Sequence, residues 1–493
     1  RKSTAIAASG RAIQSSAGVT TSGSVGANVF HVAIAAPSQL TVPACHVGNT
    51  VGVRVVHWTV TSAPTAAELS QAEIDAIRAE FPILSERVNG HPLVYLDWGA
   101  TAQRPLAVLD AERDYSLHRN AAVHRGAHTL AAEATEEFEE ARATVASFLG
   151  ADADELVWTS NATEAINLVA YAIGNASAGR GGAAAERFRI GPGDEILTTE
   201  LEHHANLIPW QELAARTGAT LRWIPVDDEG ALVLDDLDAL LGERTKLVAV
   251  THVSNVTGVL QPIERIITRA REVCALVFLD ACQSAAHLPF DFHALDVDFA
   301  AVSGHKLLGP TGIGALLGRR DLLAALPPFL TGGSMITTVT MEQAEFLPPP
   351  MRFEAGTQRI SQAIGLAAAV RFLDGIGMDR VAAHEAALGA RLVAGLEAID
   401  GVRLLGPGSA SAVERVGLAA IDTPGIHAHD LGQALDARGI AVRVGHHCAQ
   451  PLHRRLGVTA STRASTHVAT TTDEVDTYLE ALPGAIEFFR RMA

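Results

Sequence analysis

The feature that most constrains the fold of this chain is an alternation of strand-like and helix-like segments. Apolar runs that predict strands lie at residues 155–159, 195–199, 220–225, 246–251, 275–280, 298–302 and 313–317. Amphipathic stretches of helical length lie between most of them, at residues 162–173, 205–217, 233–241 and 263–273. This alternation predicts an α/β fold with a mostly parallel, seven-stranded sheet covered by helices on both faces. Ligands of such sheets bind at the carboxyl ends of the strands.

The segments on either side of this alternation have a different pattern. We predict helices at residues 66–81, 131–149, 361–373, 378–398, 429–438 and 473–492, strands at 92–97, 402–405, 416–420 and 440–444, and a surface loop at 178–185. The mixed order after residue 353 predicts a smaller α+β domain. The predicted division is therefore an extension at 1–65, an N-terminal segment at 66–95 that packs with the small domain, a large domain at 96–355 and the small domain at 356–493.

The composition excludes several classes of protein. The 493 residues are 48% hydrophobic, enough for a large core, and the formal net charge of −17 argues against nucleic acid or anionic lipid as the main partner. The four cysteines lie far apart without metal-ligand spacing, which predicts a reducing compartment, no disulfide framework and no zinc site. No uncharged apolar run reaches the roughly 18 residues that a membrane span needs.

Residues 1–65 are rich in Ser, Thr, Gly, Ala and Val and precede the first acidic residue, Glu68. This composition is typical of an organelle transit segment, and a disordered or non-native extension would look the same. We expect a cytoplasmic location, with organelle targeting as the alternative.

A glycine-rich loop follows the predicted strand at 298–302 and contains Lys306. Apolar residues and glycines surround this lysine, which favours a desolvated amine that can form a Schiff base with a carbonyl. A solvated surface lysine is the ordinary alternative. Asp280 ends another apolar run, where a buried carboxylate needs a cation as its partner. It would otherwise cap a helix.

Further polar groups follow other strands. Residues 161–164 precede a predicted helix, so Thr163 and the backbone amides could bind a phosphate, or simply cap the helix. His203 offers a ring-stacking or proton-relay group, although a structural role is as compatible with the sequence. Cys448 follows a glycine and two histidines that could favour its thiolate. Arg463 could hold a carboxylate bidentately, or lie on the surface.

Taken together, the chain resembles the SUF-type cysteine desulfurases of the class V aminotransferase family, which are fold-type I pyridoxal phosphate enzymes. The resemblance runs from about residue 74 to the C-terminus. It is carried by the motifs at residues 95–97, 122–126, 202–206, 251–255, 303–306, 332–335, 352–357 and 443–448. The short His-His-Cys-Ala loop that contains Cys448 resembles the SUF group rather than the ISC group.

The resemblance implies a role for each matching residue. It makes Lys306 the lysine that binds the cofactor, Asp280 the partner of the pyridine nitrogen, and His203 the group stacked on the ring. The other implied cofactor contacts are Gln283 at the phenolic oxygen, Ala162, Thr163, Ser303 and His305 at the phosphate, Asn255, and Thr357 from a second subunit of a homodimer. Arg463, Asn255 and Arg125 would bind the substrate, and Cys448 would accept its sulfur.

The implied activity is removal of sulfur from L-cysteine, which gives L-alanine and a persulfide on Cys448. A SUF-type protein would accept the persulfide sulfur for iron–sulfur cluster assembly. A selenocysteine lyase and a non-enzymatic scaffold of the same fold are the alternatives. The chain departs from the family at Trp98, Ala162, Gln358 and residues 466–470, which leaves the substrate preference open.

Overall fold

The computed structural model describes residues 68–492, so the predicted extension at 1–65 lies outside the described residues. The N-terminal elements are α1 (Gln71–Ala79), β1 (Arg87–Val88), β2 (His91–Pro92), β3 (Val94–Tyr95), α2 (Leu106–His118) and α3 (Thr129–Phe148). Helix α1 begins later than predicted, because Ser70 and Glu73 form a capping box that fixes its first turn. The predicted strand at 92–97 is also shorter, since only Val94 and Tyr95 pair as β3.

A seven-stranded sheet forms the centre of the fold. Its strands are β4 (Leu156–Thr159), β5 (Glu195–Thr199), β6 (Thr220–Ile224), β7 (Thr245–Thr251), β8 (Leu276–Asp280), β9 (Phe299–Ser303) and β10 (Gly314–Gly318). The order is β4-β10-β9-β8-β7-β5-β6, and β10 alone runs antiparallel to its neighbours. The predicted α/β fold is confirmed, and each predicted strand agrees within one residue at each end. Every residue of β4, β5, β9 and β10 is buried, as expected for strands covered on both faces.

The helices that follow these strands are α4 (Ala162–Ser177), α5 (Gly182–Ala185), α6 (Ile208–Thr217), α7 (Leu237–Leu240), α8 (Ile263–Glu272), α9 (Ser284–His287) and α10 (Arg320–Ala325). The predicted helix at 233–241 is wrong over its first half. The backbone amide of Val233 donates to the carbonyl of Pro225, so this segment pairs with the chain after β6 before α7 begins. The predicted loop at 178–185 ends in the short helix α5, which buries Ala185.

The remaining elements are β11 (Ile336–Val339), β12 (Ala344–Phe346), α11 (Ile360–Ile376), α12 (Met378–Glu397), β13 (Arg403–Leu405), β14 (Leu418–Asp422), α13 (Ala428–Asp436), β15 (Ile440–Ala441), β16 (Arg443–Gly445), α14 (Gln450–Arg455), β17 (Ser461–Ser465) and α15 (Thr472–Met492). A second, four-stranded sheet has the order β13-β14-β17-β16. The predicted strand at 440–444 divides in two, because β15 pairs with β3 whereas β16 pairs with β17. No single helix among the described residues is long and apolar enough to span a membrane. Helices α11 and α12 reach the necessary length and apolar composition only when the two are taken together, and the chain bends by 78° between them.

The cysteines depart from the sequence expectation at one position. Cys282 is buried and Cys448 is exposed, and both carry free thiols. Cys274 is exposed at the end of α8 and is disulfide-bonded. The disulfide at Cys274 departs from the expectation of free thiols in a reducing compartment.

Candidate active site

The carboxyl ends of neighbouring strands bring the predicted functional side chains together. Asp280 is the last residue of β8, and its backbone pairs in register with Ala301 of β9. Strand β9 ends at Ser303 and leads into a single turn of 3-10 helix, Gly304–Lys306. His203 follows β5, which is two strands away from β8 in the sheet. The topology thus places Lys306, Asp280 and His203 at one edge of the sheet, as the sequence predicts.

Electrostatics connect these three groups. Burial and the positive charge of Lys306 together lower the pKa of His203 to about 4, although the carboxylate of Asp280 opposes this shift. The Nδ1 atom of His203 accepts a hydrogen bond from the backbone amide of Ala205 at 3.0 Å. His203 is therefore a neutral imidazole with a fixed ring nitrogen, which suits stacking on an aromatic ring.

Asp280 is a buried carboxylate, with 6% of its surface exposed. Its Oδ1 atom accepts a hydrogen bond from the backbone amide of Cys282 at 3.0 Å. One backbone amide does not offset the cost of burying a charge, so the site favours a cation beside this carboxylate. A protonated pyridine nitrogen meets that requirement.

An anion-binding cradle lies at the N-terminus of α4. The Asn161 side chain caps the helix by accepting from the amide of Glu164 at 3.0 Å, and Ser303 Oγ accepts from the amide of Ala162 at 3.0 Å. The exposed Thr163 stands on the same first turn. Hydroxyl groups and the positive end of a 16-residue helix together fit a phosphate. Ala162, where the family usually has threonine, contributes its backbone here.

Two further groups flank this cradle. His305 faces Thr101 across 3.2 Å, between Nδ1 and Oγ1, and its pKa falls to about 4 through burial and the charge of Lys306. Arg359 Nη2 donates to Ser160 Oγ at 2.6 Å, one residue before the cap of α4. Sequence analysis did not single out Arg359, although it lies two residues after the predicted phosphate contact Thr357.

The loop that contains Cys448 is held against the loop that contains His203. The backbone carbonyl of Cys448 accepts a hydrogen bond from the amide of His204 at 2.6 Å. In return, His204 Nε2 accepts from the amide of Gln450 at 3.2 Å. The amide of Cys448 donates to His446 Nδ1 at 3.2 Å. These contacts fix the backbone on both sides of the exposed thiol and hold it against the loop that contains His203.

The Cys448 loop has an unusual backbone conformation. His447 and Cys448 have φ angles of 49° and 55°, in the left-handed region that non-glycine residues rarely adopt. Two such residues in succession store strain that the surrounding contacts must offset. A short, strained loop of this kind presents the thiol in one orientation.

Arg463 lies behind the same loop with 2% of its surface exposed. Its Nη1 atom donates to the carbonyl of Asn255 at 2.8 Å, and Asn255 Nδ2 donates to the carbonyl of His447 at 2.7 Å. Asp97 Oδ1 lies 3.6 Å from Nη2 of Arg463. Burial lowers the pKa of Arg463 to about 10, and Cys448 raises it. The predicted carboxylate-binding pair, Arg463 and Asn255, is thus in contact with the nucleophile loop.

Glu202 is a buried residue of the site that sequence analysis did not identify. Its carboxyl group accepts hydrogen bonds from Thr199 Oγ1, Asn206 Nδ2 and the amide of Thr251, at 2.8, 2.7 and 2.9 Å. Burial and the negative charge of Asp280 raise the pKa of Glu202 to about 8, although its hydrogen bonds oppose this shift. This network fixes the loop that contains His203. Its position in the motif at 202–206 was the available signal.

The structure places the other predicted contacts less closely. Gln283 is buried, and its Nε2 atom donates to the carbonyl of Gly99 at 3.0 Å, while its Oε1 atom has no partner among the described residues. Arg125 Nη2 lies 3.4 Å from the carbonyls of Ser334 and Ile336, before and in β11. Thr357 is exposed beside the same segment. No described contact joins Arg125 or Thr357 to Lys306, so their roles stay predictions.

Comparison with known proteins identifies the family. The profile of the family described as "Aminotransferase class-V" matches residues 94–478. The chain belongs to the class-V aminotransferase family. A "Probable cysteine desulfurase 2" of Mycobacterium leprae is 56% identical over 86% of the chain and 99% of the relative. The predicted family and fold are confirmed.

Solved structures show the same likeness. The apo structure of the cysteine desulfurase from Thermococcus onnurineus matches with a TM-score of 0.77 and 38% identity, over 84% of this chain and 98% of that one. A C-DES mutant with glycine covalently linked to its PLP cofactor matches with a TM-score of 0.69 and 25% identity, over 82% and 98%. The solved structures therefore support the fold described above.

Proposed function

We propose that this chain is a cysteine desulfurase that uses pyridoxal phosphate to remove sulfur from L-cysteine. The observation that carries the proposal is the backbone hydrogen bond between His204 and Cys448. It holds the only exposed free thiol of the described residues beside His203, whose pKa responds to Lys306 and Asp280. A nucleophile and a carbonyl-reactive amine thus share one site. The names of the relatives, which are cysteine desulfurases, support the same proposal.

The described residues fit pyridoxal phosphate. Asp280 is a buried carboxylate that needs a cation, Gln283 has an unpartnered buried oxygen, and the first turn of α4 meets Ser303 at an anion cradle. Lys306 lies in the turn directly after β9, and β9 pairs with the strand that ends at Asp280. When bound, the cofactor withdraws electrons from the substrate carbon next to its ring system.

Lys306 and Arg463 prepare the substrate. The guanidinium of Arg463 is held by Asn255 and Asp97 and offers its remaining N–H groups to the substrate carboxylate. That contact fixes the α-carbon, so that Lys306 Nζ can take and hold the α-proton. His203, neutral at pH 7, keeps the positive charge near Lys306 low.

Cys448 then accepts the sulfur. Its thiolate attacks the sulfur of the substrate, and a new S–S bond forms as the carbon–sulfur bond breaks. The electron pair of the broken bond passes to the carbon skeleton, which is protonated and released as alanine. The persulfide on Cys448 is exposed at the protein surface.

We further propose that a SUF-type protein accepts this sulfur for iron–sulfur cluster assembly. Two features support this: the cysteine loop is only a few residues long between β16 and α14, and the thiol is exposed. We also propose a homodimer in which Thr357 of the partner subunit completes the phosphate site, since Thr357 is exposed and unattached to the cradle of its own chain.

The decisive experiment measures sulfide and alanine from L-cysteine, and selenide from selenocysteine, with purified protein. Wild-type protein should be yellow, lose this colour with borohydride and release alanine from cysteine. Cys448→Ala should keep the colour and form no protein persulfide, whereas Lys306→Ala should lose the borohydride-sensitive colour and the activity. Selenocysteine as the only substrate would identify a lyase, and full desulfurase activity in Cys448→Ala would overturn the assignment of the nucleophile.

A further inference from the structure

A second cluster of reactive side chains lies behind the active site. His287 ends α9, Glu385 lies on α12 and His467 follows β17. Their exposed fractions are 3%, 1% and 0%. Three ionisable groups from three separate elements meet in the interior, and none of them has a role in the function proposed above.

The geometry of the cluster is compact. His287 Nδ1 lies 2.6 Å from Glu385 Oε2, and His467 Nδ1 lies 3.5 Å from Glu385 Oε1. The two imidazole rings have centroids 4.9 Å apart. One ligand atom from each residue can be chosen so that all three lie within 4.8 Å of one another. Small side-chain shifts would bring these three atoms to positions from which they could all coordinate one metal ion.

The internal hydrogen bonds leave the cluster incomplete. Glu385 Oε1 and His467 Nε2 have no hydrogen-bond partner among the described residues. The other nitrogen of His467, Nδ1, accepts from the amide of Val468 at 2.8 Å. Unpartnered polar atoms at such depth cost on the order of 1–3 kcal/mol each. A cation bound between the three side chains would satisfy the oxygen directly.

A cavity of about 520 Å³ reaches this cluster from the side of α12. His287 and Glu385 line it, together with Leu260, Val393 and residues of the segment 408–416. The cavity has room for water molecules. It would provide both an entry path and a water ligand for a fourth coordination position.

We propose that His287, Glu385 and His467 form a binding site for a zinc-like divalent transition metal, adjacent to the backbone of Lys306. Two imidazoles, one carboxylate and a water molecule are a coordination set that zinc takes in proteins. The arrangement is independent of the proposed desulfurase activity, so this site and that activity can fail separately.

The test titrates Zn²⁺ into holoprotein that carries Cys448→Ala, because the active-site thiol would otherwise bind the metal. Equilibrium dialysis should give one tight site per chain. Co²⁺ in the same protein should give the intense visible absorption of a tetrahedral site.

Matched variants decide the location. Glu385→Gln and His467→Asn should each weaken Zn²⁺ binding at least about tenfold while the far-ultraviolet dichroism and the yellow colour persist. The control is Glu155→Gln. It lies in the other described group of possible ligands, Asp152, Glu155 and His293, of which Asp152 and His293 are exposed. This variant should leave Zn²⁺ binding at the His287, Glu385 and His467 cluster unchanged. Loss of binding in the control alone, or no stoichiometric binding in the parent, would overturn the proposal.

Discussion

The backbone carbonyl of Cys448 lies 2.6 Å from the backbone nitrogen of His204, which donates a hydrogen bond to it. The bond joins a loop that follows β5 of the central sheet to a loop that follows β16 of the four-stranded sheet. The thiol therefore has a fixed position relative to His203, the neighbour of His204. Two backbone segments, rather than one flexible side chain, therefore determine how the thiol approaches the substrate.

The ring of His204 should contribute to this fixed position. His204→Ala removes the acceptor for the Gln450 amide but keeps the backbone bond to Cys448. Loss of one hydrogen bond of about 1 kcal/mol predicts a fall in kcat of about fivefold with little change in KM. Steady-state alanine release measures this. His204→Gln, which can still accept from Gln450, should recover most of the loss; equal loss in both variants would contradict the positioning role.

Arg463 should determine substrate affinity. Arg463→Lys removes the planar guanidinium that reaches Asn255 and Asp97, so the KM for L-cysteine should rise roughly 10- to 100-fold. Arg443→Lys is the matched control, because Arg443 also lies near Asp97, at 3.7 Å, but is exposed. Its KM should change by no more than about twofold. A KM in Arg463→Lys equal to that of wild type would exclude Arg463 as the carboxylate ligand.

Ser303 should contribute to cofactor affinity. Ser303→Ala removes the hydroxyl that meets the first turn of α4, so the dissociation constant for pyridoxal phosphate should rise about tenfold. Reconstitution of apoprotein, followed by its absorbance, gives this constant. Ser177→Ala, at the C-terminal end of the same helix, should leave the constant unchanged. Similar weakening in both variants would point to the helix itself rather than to its N-terminal cradle.

How far the sequence predicts this fold depends on where the deciding contacts lie. Most strands of the central sheet, such as β4, β5, β9 and β10, are apolar runs buried on both faces, so their position follows from composition alone. The division of residues 440–445 between β15 and β16 depends on pairing with β3 and β17, which are distant in sequence. Local pattern carries no information on such pairing.

The same distinction applies to the site. Lys306, Asp280 and His203 follow strand ends, so topology alone predicts that they meet. The roles of Asp97 and Glu202 arise from contacts across the fold, to Arg463 in one case and to Thr251 in the other. The His287, Glu385 and His467 cluster joins residues up to 180 positions apart, and no spacing in the sequence marks it.

Glu202 should make stability depend on pH. Its pKa rises from 4.5 to about 8 on folding, so the folded state binds the proton more tightly than the unfolded state. The stabilisation is fully present below about pH 4.5 and is lost as the pH rises through 8. Glu202→Gln should therefore reduce the fall in Tm between pH 5.5 and about pH 8.5, with a difference on the order of a few kcal/mol in the free energy of unfolding.

The control for this pH dependence is Glu212→Gln, an exposed residue of α6. Its Tm should follow that of wild type at every pH, because its carboxyl group is solvated in both states. Glu385 contributes a fall of the same sign, since burial also raises its pKa to about 8. Glu202→Gln should therefore leave part of the dependence in place. A wild-type slope in Glu202→Gln would show that its carboxyl group does not titrate in this range.

Arg142 should be the most destabilising of these positions to change. It is buried at 1% exposure on α3, and its Nη1 and Nη2 atoms donate to Glu354 at 2.6 and 2.9 Å. Glu354 also accepts from the backbone amide of Trp158 in β4, so it fixes the segment that leads to Thr357. Arg142→Met leaves a buried carboxylate without its cation, which predicts a loss of about 3–5 kcal/mol in the free energy of unfolding.

Two comparisons separate the ion pair from the loss of packing. Arg391→Met removes an exposed arginine whose Nη2 lies 2.6 Å from Asp476, and it should cost less than about 1 kcal/mol. The double variant Arg142→Met with Glu354→Gln should recover part of the loss, because it no longer contains an unpaired buried charge. Chemical denaturation of the holoprotein measures all three. If the double variant is less stable than Arg142→Met alone, the unpaired charge of Glu354 is not the cause.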